Sequence, residues 1–240
     1  MITRNLLALT FMIVLGIEPF VSNAAAFEGA APTHFYLDPS SVDLVHILAP
    51  PPAPDSPAGK ADLAAVLEAQ RTRTPAETAD AEADVQLSVF RFADVMGTNF
   101  TPANLPFAKT LFERLASDDR QAIFAAKAYF NRPRPYVADP EVKPVVHEPA
   151  NASYPSGHAA FSWADAIILA YMVPEKAAAI FDRAARFGHE RVIASVHYPT
   201  DVEAGRISAS VVDNVLLHDA HFMADFATAR TEVRHALGLH

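Results

Sequence analysis

The sequence predicts an all-α fold, a bundle of about eight helices in one domain. Three observations point there. From Lys60 onward, apolar residues recur at helical spacing in one segment after another, whereas strand-like alternation is rare and short. The 19 prolines gather in loops that punctuate those segments. The 240 residues are 51% hydrophobic and 20% charged, enough to fill a core, and no hinge-like break divides them.

In chain order, residues 1–26 read as a cleaved secretory signal. Arg4 is a short basic start, Leu6 to Ile17 is an apolar run, and Ser22 to Ala26 offers small residues for cleavage. The run is short for a bilayer span, and Glu18 interrupts it. Residues 27–59 read as an extended, proline-rich segment that wraps the surface, ahead of a helical domain over 60–240. Helices are expected over Asp62–Arg71, Glu77–Asp94, Asn104–Ala116, and from a Ser117 N-cap to Phe130. Asn131–Pro155 is a proline-punctuated loop. His158–Met172 is apolar on nearly every face and should be a buried central helix, with Phe161, Trp163 and Tyr171 in the core. A helix over Glu175–Phe187 is expected to stop at Gly188, and a last one to run from Thr200 toward residue 230, with Thr200 and Glu203 as a capping box.

Charge and composition exclude several functions. A net charge of −9 argues against nucleic-acid or anionic-membrane binding, so an anionic substrate would need positive charge focused locally. With no cysteine there is no disulfide, thiolate metal site or cysteine nucleophile.

Three clusters carry groups suited to an oxyanion. Lys127 precedes Arg134, which Pro133 and Pro135 flank; a guanidinium fork and a mobile ammonium suit phosphate, although a solvated basic turn would look similar. In Ser153-Tyr-Pro-Ser-Gly-His158, Ser156 is a natural N-cap and Gly157 permits close approach of a ligand to the backbone. The following helix would aim free N–H groups at an anion beside His158. Arg191 is a third cation, and His197 stands four residues before Asp201, whose carboxylate could hold one ring nitrogen and leave the other as a nucleophile.

Together, Lys127-x6-Arg134-Pro, Pro155-Ser-Gly-His158 and Arg191-x5-His197-x3-Asp201 resemble the type 2 phosphatidic acid phosphatase (PAP2) superfamily, above all its bacterial class A non-specific acid phosphatases. The resemblance implies the helical fold shared by acid phosphatases and vanadium haloperoxidases. It implies hydrolysis of phosphate monoesters without a metal or other cofactor. His197 would attack phosphorus, Asp201 would orient it, and His158 would protonate the leaving group. Lys127, Arg134, Arg191, Ser156 and the Gly157 amide would hold the oxygens. The enzyme would be periplasmic or secreted, take small phosphomonoesters, show a bell-shaped pH profile with an acid optimum, and leave a homodimer open. This chain departs from the pattern at Glu190, where a serine is usual, and at Ala159, and it adds Arg132 and Tyr136. Glu190 should either turn away from the pocket or weaken phosphate binding.

Other readings compete. A vanadate-dependent haloperoxidase would use the same pocket. A metal-dependent phosphohydrolase would draw on His147, His189, His218 or His221, but no His-Glu-x-x-His motif is present. A non-catalytic phosphate-binding module would need no nucleophile.

Overall fold

The computed structural model describes residues 34–239. The expected signal segment and the start of the extended segment lie outside the described residues. Among the described residues there is no strand, and the protein is all-α.

The chain from His34 to Ser56 is more than a surface wrap. Leu37, Val42, Leu44 and Leu48 are buried in the main core. The backbone N–H groups of Phe35, Tyr36 and Leu37 all donate to the Asp118 carboxylate on the long helix below, so the segment is stitched down by hydrogen bonds as well as by apolar contact. It includes one short helix, α1 (Leu44–Ile47).

α2 (Pro57–Thr72) starts at Pro57, with Ser56 as its side-chain cap. α3 (Pro75–Ala83) opens on a Thr74–Glu77 capping box. The expected single helix to Asp94 breaks here. A turn follows Ala83, then a 3-10 turn over Val89–Phe92 and the short α4 (Ala93–Met96). The break keeps Asp84 fully buried, with Arg91 and Arg183 on its carboxylate. Phe92 and Phe100 enter the core, with Phe90 packed against it.

α5 (Pro106–Phe130) is one helix where two were expected. Ser117 lies inside it. Asp118 and Asp119, read as first-turn residues, are mid-helix and buried; the capping-like sequence lost to a continuous apolar face of Ala108, Leu111, Phe112, Leu115, Ala122 and Ala126. Asn131, in the left-handed conformation that asparagine tolerates, ends it. α6 (Pro135–Ala138) is a single turn within the following loop.

α7 (Gly157–Met172) is the central helix, packed chiefly on α8 and α9 and also on α5. Ile168, Leu169 and Met172 are fully buried; truncating Ile168 or Leu169 to alanine should cost about 2–5 kcal/mol. Phe161 is buried and Trp163 packs at the core edge, but Tyr171 faces outward, 58% exposed.

α8 (Ala177–Ile193) runs through Gly188 instead of stopping there. A Cβ at Gly188 would lie 2.9 Å from Val202 Cγ1, so the glycine serves helix packing, not termination. α9 (Pro199–Leu216) starts one residue before the expected Thr200, which puts Asp201 and not Glu203 at the third position. Glu203 pairs with Arg206 on the surface. The expected run to residue 230 is divided at Asp219, which caps α10 (Ala220–Ala236). α10 packs on α5.

Candidate active site

The three sequence clusters meet where the C-terminal end of α5 approaches the N-terminal ends of α7 and α9. α9 can come that close to α7 because residue 205 is glycine. A Cβ there would sit 2.5 Å from the Ser156 carbonyl oxygen and 2.9 Å from Ala159 Cβ. The two helix starts are tied directly, since the Ser156 N–H donates to the Asp201 carbonyl at 2.9 Å. Ser156 caps α7, accepting from the Ala159 N–H with its hydroxyl oxygen. At Gly157 an added Cβ would meet only Ile123 Cγ2, at 3.7 Å, so protein packing does not demand the glycine.

His197 and Asp201 are side by side. His197 Nδ1 lies 3.3 Å from Asp201 Oδ2, and Asp201 is fully buried. Oδ2 also accepts from the Ser153 hydroxyl at 2.5 Å and the Tyr198 N–H at 2.9 Å. Oδ1 accepts from Arg132 Nη1 at 2.6 Å. Arg132 reaches on to Asp62 Oδ2 at 2.8 Å and lies over the Tyr198 ring at 3.9 Å. Thr200 donates its hydroxyl and its N–H to Asp62. A carboxylate so supplied with donors accepts from Nδ1–H, which leaves His197 Nε2 with the free lone pair. That nitrogen faces Arg134 Nη1 at 3.2 Å.

The three cations are buried and held by carbonyls. Lys127 Nζ donates to the Ala152 and Ser153 carbonyls at 2.6 and 3.1 Å. Arg134 donates to the Asn151 carbonyl and side-chain oxygen and to the Val196 carbonyl. Arg191 is 1% exposed and donates Nη2 to the Ala81 carbonyl at 2.5 Å; its Nε is buried with no hydrogen-bond partner among the described residues. The C-terminal end of α3 thus forms one wall. The Val85 carbonyl, on the same stretch, lies 3.3 Å from His158 Nε2. A carbonyl only accepts, so neutral His158 carries its proton on Nε2 and keeps Nδ1 open.

Burial and the gathered cations set the protonation states. His197 is pushed well below the usual imidazole range by burial, then by Arg134, against the pull of Asp201. Burial, Arg191, Arg134 and Lys127 lower His158 to about 3. Burial and Arg134 lower Lys127 to about 7, and burial lowers Arg191 to about 10. Asp201 goes the other way: burial opposes its charge, but the hydrogen bond from His197, with Arg132 and Ser153, holds it down at about 2. The site therefore carries a surplus of positive charge and two neutral imidazoles, an arrangement that an anion completes.

Of the eight residues singled out in the sequence, Lys127, Arg134, Ser156, His197 and Asp201 are joined by hydrogen bonds to one another or to residues 151–153, Gly157 follows Ser156, and Arg191 and His158 rest on the Ala81 and Val85 carbonyls; together they make up the candidate site. Several that shape it were given no role there. Asp62 shares a helix face with Val66 and Ala69, and a carboxylate on that apolar face was its signal. Arg132 and Ser153 stood inside the motifs. The Ala81 and Val85 carbonyls left no trace in side-chain chemistry. Glu190 turns to Asp84, with which it is hydrogen-bonded. The histidines weighed as metal ligands do not gather: His218 folds back onto the Asn214 carbonyl, and no set of three or more ligating side chains among the described residues could hold a metal ion.

A family profile described as the PAP2 superfamily matches residues 116–223. An acid phosphatase of Zymomonas mobilis subsp. mobilis is 33% identical over 219 residues, covering 87% of this chain and 80% of that protein. A non-specific acid phosphatase of Salmonella typhi is 30% identical over 210 residues, covering 83% of each. In fold alone, the chain is similar to a bacterial vanadium-dependent iodoperoxidase (TM-score 0.53, 22% identity, 69% of this chain and 52% of that one). It is likewise similar to a transmembrane PAP2-type phosphatidylglycerolphosphate phosphatase from Bacillus subtilis (TM-score 0.51, 21% identity, 68% and 86%). No helix among the described residues is long and apolar enough to cross a membrane. With buried cations around a His–Asp pair and a relative one-third identical over most of both chains, this protein belongs to the PAP2 superfamily, and the acid phosphatases are its kin.

Proposed function

We propose that the protein is an exported acid phosphatase that hydrolyses small phosphate monoesters through a phosphohistidine intermediate without a metal. The observation that carries this reading is the His197–Asp201 pair set among three buried cations. His197 Nε2 attacks phosphorus, and the bond to the leaving oxygen breaks as the N–P bond forms. Asp201 stabilises the imidazole that has become cationic. Arg134, which faces Nε2 in the free protein, shifts its donors to the phosphoryl oxygens. Lys127, Arg191, Ser156 and the Gly157 amide take the remaining oxygens. His158 supplies the proton to the leaving alkoxide, then takes one from the water that cleaves the intermediate.

The electrostatics support an acid optimum. A bound dianion offsets the charges of Arg191, Arg134 and Lys127 that hold His158 neutral, so substrate binding and protonation of His158 are coupled. On the alkaline side, Lys127 loses its proton from about 7 upward, and the pocket loses a cation. kcat/KM should therefore fall as pH rises through about 7. Rates on a panel of phosphomonoesters across pH, with EDTA and with vanadate, test the reading. Turnover at acid pH that resists EDTA and is inhibited by vanadate is expected. Loss of activity to the chelator and its recovery with a divalent metal would overturn it.

A further inference from the structure

Glu190 poses a problem that its neighbours resolve. It directly precedes Arg191 on α8, and an ionised carboxylate there would compete with phosphate for that guanidinium. Its side chain instead meets Asp84, at the end of the wall that holds Arg191 through Ala81 and His158 through Val85. Asp84 is fully buried. Its oxygens accept from Arg183 Nη2 at 2.7 and 2.8 Å and from Arg91 Nε at 2.6 Å. Two carboxyl groups hydrogen-bond to each other only if one carries a proton. Asp84 already accepts from two guanidinium groups, so it is the ionised member and Glu190 is the donor. Glu190 Oε2 has no partner among the described residues and is buried, a position that suits a neutral carboxyl and penalises an anion.

We infer that Asp84 and Glu190 work as one acid holding a single proton behind Arg191, and that this proton keeps Glu190 from repelling the phosphate group. Glu190 is thus a positioning residue that acts through Arg191 and sets an upper pH limit on anion binding. The inference rests on the phosphate-site reading above. The charged groups around the pair are Arg91 from the 3-10 turn, Arg183 and Arg191 from α8, and beyond them Asp94 of α4, which pairs with Arg183 and Arg186. Further out, Glu77 of α3 faces His189 of α8. From α7, His158 touches the same wall at Val85. Burial, then the Asp84 hydrogen bond and charge, raise Glu190 to about 8, which places the loss of the shared proton just above neutrality.

The test is calorimetric binding of inorganic phosphate to the full chain and to two variants, Glu190→Gln and Asp84→Asn, from about pH 6 to about pH 9. Each variant keeps one carboxyl and so has no second ionisation in that range. Changes in phosphate's own ionisation, and in Lys127, are common to all three proteins and cancel in the ratios. Across that range the parent should lose about tenfold more affinity than either variant, the effect of one unit charge several ångströms from Arg191. Superimposable profiles for parent and Glu190→Gln would overturn the shared-proton role while leaving the phosphatase reading intact. Absence of phosphate binding at every pH, together with absence of phosphomonoester turnover, would overturn both. Glu190→Gln preserves shape, so it decides the question even if Asp84→Asn fails to fold.

Discussion

At one end of α5, α7 and α9 the protein buries Lys127 and Asp201, with His158 half-buried near them. About two to three turns along the same helices it buries Asp119, Asp165 and Asp213. The two regions share helices and solvent exclusion, yet they treat charge differently. At the first, every ionisable side chain is aimed at a donor, an acceptor or a carbonyl, and Asp201 keeps its charge because Arg132, Ser153, His197 and the Tyr198 N–H all address it. At the second, both oxygens of Asp165 and of Asp213, and one of Asp119, have no hydrogen-bond partner among the described residues. Burial drives all three well above the usual carboxylate range, reinforced by Asp118 at Asp119, by Asp119 at Asp165, and by Asp119 and Asp165 at Asp213, which favours their neutral forms. Burial alone discharges a group; only a built set of partners keeps it charged. A site that binds a dianion needs such partners and the acid trio has none.

The largest effect expected from breaking that contrast is at His197. His197→Ala should reduce turnover on the order of 10⁴-fold or more while the helical circular dichroism is unchanged. Near-parental turnover would remove His197 from the chemistry. Next come the cations. Arg191→Ala or Lys127→Ala takes away one buried positive charge and should lower kcat/KM about 10²–10³-fold. Steady-state kinetics at acid pH measures it, and a loss under tenfold would mean that the oxygens are held elsewhere.

Arg132 sharpens the comparison through stability. Arg132→Ala leaves Asp62 and Asp201 buried without their shared partner and should cost about 3–5 kcal/mol, read from denaturant melts. An unchanged midpoint would show that the clamp is idle.

The smallest effect belongs to the acid trio, and its sign is set by direction alone. These carboxyls have folded-state values above those of the unfolded chain, so the folded state binds more protons. Their contribution to stability is fully present below about 4 and declines as pH rises above it. Asp165→Asn, which mimics the protonated form, should flatten that decline. Melting temperatures recorded across pH, with a parental slope in the variant, would count against neutral acids in the core.

Much of this was legible in the residues. Lys127, Arg134, Ser156, His158, Arg191, His197 and Asp201 stood out because an oxyanion calls for particular side chains at helix starts and stiff loops, and because together they resemble a family pattern. Helix ends were less legible. Ser117-Asp-Asp looks like a cap, and only the unbroken apolar face of α5 overrides it. Gly188 looks like a stop, and only the approach of Val202 shows it to be a notch. The wall at Ala81 and Val85 acts through backbone carbonyls, which every residue has, so no residue type could announce it. Asp84 is separated by more than a hundred residues from Glu190, and their shared proton exists only once α3 lies on α8.

The central claim is that His197 Nε2 receives the phosphoryl group. Acid-quenched reaction with a phosphorus-labelled monoester, followed by peptide mapping under conditions that preserve phosphoramidate bonds, tests it most directly. Label on His197 in the parent, accumulating when His158 is replaced by alanine and the leaving group needs no protonation, is the expected result. Turnover without any covalent label, or label on another side chain, would contradict it.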